Sequence, residues 1–232
     1  MTVELVRHPA YVVPTLAFPA LFFVFFAVPG TPSGADVRMA TFAGFAAIGV
    51  AFFQFGVGIA VDRASPWETY LRTLPVTVGV RIGARLLSAS VFATAAASVV
   101  IAVAVAVTPV SLSPARWVEL AIALAAGIVP FALLGIAIGY WAPPRGALPI
   151  ANLLYLALSY AGGLWARPQG LPHLAAGASS FLPTGRLADV LSAPALGHAP
   201  PWPSWLALAG FAAGFGVLAA WGYRRDETSR YR

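Results

Sequence analysis

Residues 81–107 read RIGARLLSASVFATAAASVVIAVAVAV. Two arginines stand one helical turn apart, and no charged side chain follows from Leu86 to Val107. A helix rises about 1.5 Å per residue, so roughly 20 apolar residues cross a bilayer core. A chain in hydrocarbon must satisfy its own backbone hydrogen bonds, and a helix does so within one segment. The stretch therefore reads as a transmembrane helix, with Arg81 and Arg85 reaching headgroups at its entry.

The rest of the chain repeats this pattern. Of its 232 residues, 59% are hydrophobic and 9% charged, where a soluble domain carries about 25% charged residues. So few charges do not cover a water-facing surface. Six apolar runs, at about 11–28, 38–61, 81–107, 116–140, 147–165 and 204–223, make 1–232 a single transmembrane domain. The expected fold is all-α: a polytopic integral membrane protein with six transmembrane helices. Pro14 and Pro19 lie in the first run, where neighbouring helices tolerate them. That run is expected to stay as a span, because no small-residue cleavage site follows a short apolar core.

All 14 basic residues are Arg, and the net charge is +6. Such a balance suits nucleic acid when clustered, but here the arginines are scattered among apolar residues, and no nucleic-acid partner is expected. They instead set orientation. With the N-terminus inside, Arg7, Arg63, Arg72, Arg81, Arg85, Arg145, Arg224, Arg225, Arg230 and Arg232 are cytoplasmic, against Arg38, Arg116, Arg167 and Arg186 outside. The positive-inside rule selects this topology, with both ends cytoplasmic in a cell (inner) membrane.

Several chemistries are excluded. Without Cys there is no disulfide, thiolate metal site or Cys nucleophile. Without Lys there is no P-loop, and neither HExxH nor GxSxG occurs. His173 and His198 lack nearby acids and read as surface residues, so no metal is expected. Charges inside spans are nearly absent. Glu119 stands three residues after Arg116, a spacing that pairs them on one helix face. Gln54 and Asn152 are the clearest buried polar candidates, either as pathway groups or as bonds to a neighbouring helix.

Three connections carry further pattern. Residues 62–80 read DRASPWETYLRTLPVTVGV. Ser65 at a cap, Pro66 at the first helical position and Glu68 in the first turn start a short helix that Pro75 stops. Trp67, Tyr70, Leu71 and Leu74 form one apolar stripe on it. Such a helix rests on headgroups or docks into a partner protein. Near the N-terminus, Glu4 and Arg7 are placed to pair on an interfacial elbow, or start a disordered segment. Residues 166–203 are too long for a turn, and two pieces, 172–181 and 184–191, look helical but too short to cross. They suit a re-entrant hairpin or lid, with Trp202 and Trp205 at the interface.

In order, these pieces resemble the type-2 permeases of ATP-binding-cassette transporters. The residues carrying the resemblance are ELVRHPAYVVPTLAFPALFF at 4–23, YLRTLPVTVGVRIGARLLS at 70–88, PFALLGIAIGYWAPPRGALPIANLLYLALSYAGGLW at 130–165 and FLPTGRLADVL at 181–191. They look like the family's elbow and Pro-broken first span, its turn after the coupling helix, its passage from span four to span five, and its helix before span six. The elbow is shorter than the family's and the outer loops are small.

The resemblance implies the membrane half of an exporter. A separate ATPase subunit would bind ATP and Mg²⁺, and this chain would hold no cofactor and no catalytic residue. A second copy or a related permease would complete the pathway. The coupling helix at 65–74 would sit in a groove of the ATPase, which makes docking the preferred reading of Ser65, Pro66, Trp67, Glu68, Tyr70, Leu71 and Leu74. The apolar walls suit a hydrophobic or amphipathic cargo such as a drug, lipid or lipid-linked molecule. The competing readings are a membrane-embedded enzyme acting on lipid and a non-transporting scaffold or immunity protein. A neighbouring gene for a P-loop ATPase separates the first reading from the others.

Overall fold

The computed structural model describes residues 9–29, 34–65, 78–165 and 177–229. Among these the chain is helical throughout, without a strand. Helix α1 is Pro9–Phe22 and continues as a π-helical turn, Phe23–Ala27. Helix α2 is Ala35–Arg63, interrupted by a π-helical turn at Phe52–Val57. Then come α3 (Val78–Val107), α4 (Pro114–Gly127), α5 (Val129–Trp141), α6 (Ala147–Ala161), α7 (Pro183–Ala195) and α8 (Trp202–Ser229).

Among the described residues four helical stretches are long and apolar enough to cross a membrane: Ala35–Arg63, Leu86–Val107, Pro114–Trp141 and Trp202–Glu227. Helix α1 with its π-helical turn runs from Pro9 to Ala27, close to the expected first span at 11–28, while the expected fifth is shorter at Ala147–Ala161. The 15 residues of α6 rise only about 22 Å, and the helix ends at Ala161 rather than near 165. Its end is a left-handed turn. Gly163 has φ 78°, its N–H donates to the Tyr160 carbonyl at 3.0 Å, and the Leu164 N–H donates to the Ser159 carbonyl at 3.0 Å. This is the two-bond glycine cap that satisfies the last carbonyls of a helix. Between α4 and α5, Pro130 lacks the N–H that Ala126 would accept, and the rod breaks at Ile128. The expected span at 116–140 is therefore two helices in line.

Helix α2 is the axis of the fold. From Met39 to Phe52 every residue is buried, because neighbours pack on all sides. Helices α3, α5, α6 and α7 all lie against it. The α5 contact brings backbone close to backbone. A Cβ on Gly135 would sit 2.6 Å from the Ala51 carbonyl oxygen, and one on Gly139 would sit 2.7 Å from that of Phe55. The spacing GIAIG is the small-xxx-small pattern that lets two membrane helices touch backbone to backbone. Helix α8 is the opposite case, with Leu206, Val217 and Trp221 exposed along it.

Helix α7 covers and extends the expected piece at 184–191. Pro183 opens it at a position that needs no N–H. It does not cross, since its 13 residues span about 20 Å. Instead it is wedged between α2, α4, α6 and α8, with Leu187 and Leu191 buried where Gly127 and Gly44 leave room for them. Of the other expected piece, 172–181, residues 177–179 are helical and 172–176 lie outside the described residues.

Candidate functional site

The two ends of α2 carry different polar constructions. At the far end, Arg63 ties three helices together. Its Nε and Nη2 donate to Asp226 Oδ1 on α8, at 2.9 and 2.5 Å. Its Nη1 donates to the carbonyls of Gly139 and Tyr140 at the end of α5, both at 2.8 Å. The guanidinium also lies 5.6 Å from the centre of the Tyr140 ring. The Asp226 side chain is only 6% exposed and that of Arg63 21%, so water screens the pair little. A cation on the last carbonyls of α5 also meets the negative end of that helix. Aromatic rungs continue the seam between α5 and α8. Tyr140 meets Tyr223 and Trp141 meets Trp221 edge to face, and Trp141 Nε1 donates to the Leu218 carbonyl at 3.1 Å.

Around the near end of α2 the polar groups surround a cavity of about 420 Å³. Arg38 and Thr41 of α2, Gly162, Gly163 and Trp165 after α6, and Ser192 of α7 contribute to its walls. Close by, Arg116 pairs with Glu119 at 2.6 Å, as their spacing predicts, and also donates to the Gly197 carbonyl at 2.6 Å. Gly197, with φ 80°, closes α7 by the same two-bond cap that ends α6: its N–H meets the Pro194 carbonyl, and that of His198 meets the Ala193 carbonyl.

Midway along, Gln54 sits in the π-helical turn of α2, 8% exposed. Among the described residues no hydrogen-bond partner reaches its Nε2. The expected burial therefore holds for Gln54. It fails for Asn152, which is exposed on α6, because the inward face of that helix is taken by Ala151, Tyr155 and Ser159. Tyr155 is a polar group on the inward face of α6 that sequence reasoning missed. Its ring stacks on Phe45 at 4.6 Å, and its hydroxyl donates to the Phe45 carbonyl at 3.1 Å.

Of the residues assigned to the coupling helix, Ser65 stands just beyond α2, half-buried, with its N–H donating to the Asp62 carbonyl at 2.9 Å. Pro66, Trp67, Glu68, Tyr70, Leu71 and Leu74, and the elbow residues Glu4 and Arg7, lie outside the described residues. Trp202 is exposed at the start of α8 and Trp205 partly packed. His198 lines the cavity.

The Arg63–Asp226 contact joins residues 163 positions apart, so no local spacing announces it. The glycine pattern at 135 and 139 was readable and is what brings α5 against α2.

No protein-family model matches the chain, and no solved structure matches it. Among curated proteins it is similar to the "Putative transport permease YvfS" of Bacillus subtilis (strain 168). The two are 23% identical over 230 residues, covering 97% of this chain and 94% of that one. A likeness running nearly end to end, on a chain whose described residues include helices long and apolar enough to cross a membrane, bears out the permease resemblance read from the sequence.

Proposed function

We propose that this chain is the membrane subunit of an ATP-driven ATP-binding-cassette exporter that moves a hydrophobic or amphipathic substrate. The observation that carries the reading is the end-to-end similarity to a transport permease, in a sequence whose lack of Lys leaves it no P-loop of its own. ATP and Mg²⁺ belong to a separate ATPase subunit, and a second copy or a related permease completes the pathway. Both termini face the cytoplasm of the inner membrane, on the ground of the arginine distribution.

The clamp gives this reading a route for force. The segment 65–74 leaves α2 immediately after Arg63, and Arg63 grips the ends of α5 and α8. A push delivered to that segment by an ATPase would reach three helices through one guanidinium. The test is to seek a P-loop ATPase gene beside this one, co-express the two proteins and pull down through this chain. The wild-type chain is expected to retain the ATPase, and the double substitution Trp67→Asp, Tyr70→Asp to lose it. Retention of an active complex by the double variant removes the docking assignment.

A further inference from the structure

Asn152 is exposed on α6, at a level where a membrane offers its amide no hydrogen bond. Gly49 is the middle residue of the 29-residue stretch Ala35–Arg63, and a Cβ on it would lie 2.9 Å from the Tyr155 hydroxyl. The Tyr155 ring also stacks on Phe45 and meets Phe53 edge to face. Asn152 comes three residues before Tyr155, so the two lie about 4.5 Å apart along the helix. In a bilayer crossed by α2, Asn152 is therefore near the midplane. Among the described residues no hydrogen bond engages its amide. An amide left unpaired in hydrocarbon is costly, and polar side chains at that depth pair with one another or face a protein interior.

The surroundings of Asn152 are apolar. Leu148 and Leu156 lie one turn to either side, and Leu153 beside it is 71% exposed. No charged residue occurs from Ala147 to Ala161. This face thus offers packing to an apolar partner and one group that needs a polar one. Acyl chains meet the first need and not the second. A second copy meets both. A two-fold axis along the membrane normal brings the same patch of both copies together, so each Asn152 finds the other at its own depth. A primary amide donates and accepts, so two of them satisfy each other. The length of α6 acts in the same direction: its 15 residues are shorter than the hydrocarbon is thick, a mismatch that association relieves.

We propose that two copies of this chain associate through the outward face of α6, with the two Asn152 amides hydrogen-bonded across the two-fold axis. Side-chain amides bond across membrane helices in this way, and one buried Asn is enough to fix register and copy number in a helix pair. The purpose of the pairing rests on the permease reading, where it makes the second half of the pathway a copy of this chain rather than a related permease. The pairing itself is measured without ATPase or nucleotide, so its failure and a failed pull-down are separate results.

The test uses the fluorescently labelled full chain in lipid vesicles at increasing dilution, with copies per complex counted by stepwise photobleaching. The wild-type chain is expected to be dimeric. Asn152→Leu is expected to keep the wild-type melting temperature in detergent, because the side chain is exposed, and to weaken the dimer about tenfold, the order of a lost interhelical hydrogen bond. Asn152→Gln keeps an amide and is expected to retain most of the dimer. Cross-linking locates the contact and does not depend on replacing Asn152. The chain has no Cys, so Leu148→Cys introduces its only thiol, and copper-catalysed oxidation is expected to link two copies there. Leu206→Cys, equally exposed to the surroundings on α8, is expected to stay unlinked. A monomeric wild-type chain overturns the pairing, as does a dimer unchanged by Asn152→Leu or weakened as much by Asn152→Gln. Linkage at Leu206→Cys and not at Leu148→Cys overturns α6 as the contact. Association that appears only when a related permease is added overturns the second copy as the partner.

Discussion

The near and far ends of α2 both hold an arginine, and their surroundings differ. Arg63 is spent inside the chain, on Asp226 and two carbonyls, and its end of the bundle is closed. Arg38 lines a cavity of about 420 Å³, and its end is open. Two glycine caps, after α6 and after α7, shape the open end, while glycines inside α5 let backbones touch and seal the closed one. A guanidinium thus tells little by its position at a helix end. What matters is which groups the fold brings up to it.

The largest expected effect tests the closed end. Arg63→Ala or Asp226→Ala should each destabilise the chain by about 3 kcal/mol, because removing one partner leaves a buried charge uncompensated. Thermal unfolding in detergent measures this. The double variant should cost clearly less than the sum of the two, and strict additivity would show that the pair does not hold the ends together.

The glycine seam comes next. Gly139→Ala should cost about 2 kcal/mol, since its Cβ must displace Ile59 and the Phe55 carbonyl. Gly214→Ala on α8 is the matched control: nothing lies within 4 Å of its Cβ, and the melting temperature should hardly move. Equal shifts in the two variants would mean that the close approach of α2 and α5 carries no special weight.

The smallest effect lies between the ends. Tyr155→Phe should cost about 1 kcal/mol, the usual net worth of one buried hydrogen bond. Tyr155→Leu should cost more, by removing the stack on Phe45 as well. If the two variants melt alike, the ring contributes nothing beyond its bulk.

Much of the helical layout was legible. The reading 81–107 met a helix at Val78–Val107, 38–61 met Ala35–Arg63, and 204–223 met Trp202–Ser229. Hydrophobic runs with no charge leave the backbone few alternatives in hydrocarbon. The pair Arg116–Glu119 was legible for a similar reason, because a spacing of three fixes both side chains on one face. The misreadings came from local details. The Gly162–Gly163 pair stops α6 early, and Asn152 faces outward because Tyr155 and its neighbours take the inner face, whereas the run read at 116–140 met Pro114–Trp141 with a break at Pro130 inside it.

The sequence by itself determined the class of this protein: an all-helical membrane chain, without Cys or Lys chemistry, similar throughout to a transport permease. Hydropathy, residue inventory and order along the chain are one-dimensional properties, and they sufficed for that. Which arginine is clamped and which lines a cavity was decided only by the tertiary structure. So was the wedging of α7 beside α2. Each depends on which helices approach one another. That is set by where glycines let backbones touch and where side chains fill the space between, not by spacing along the chain.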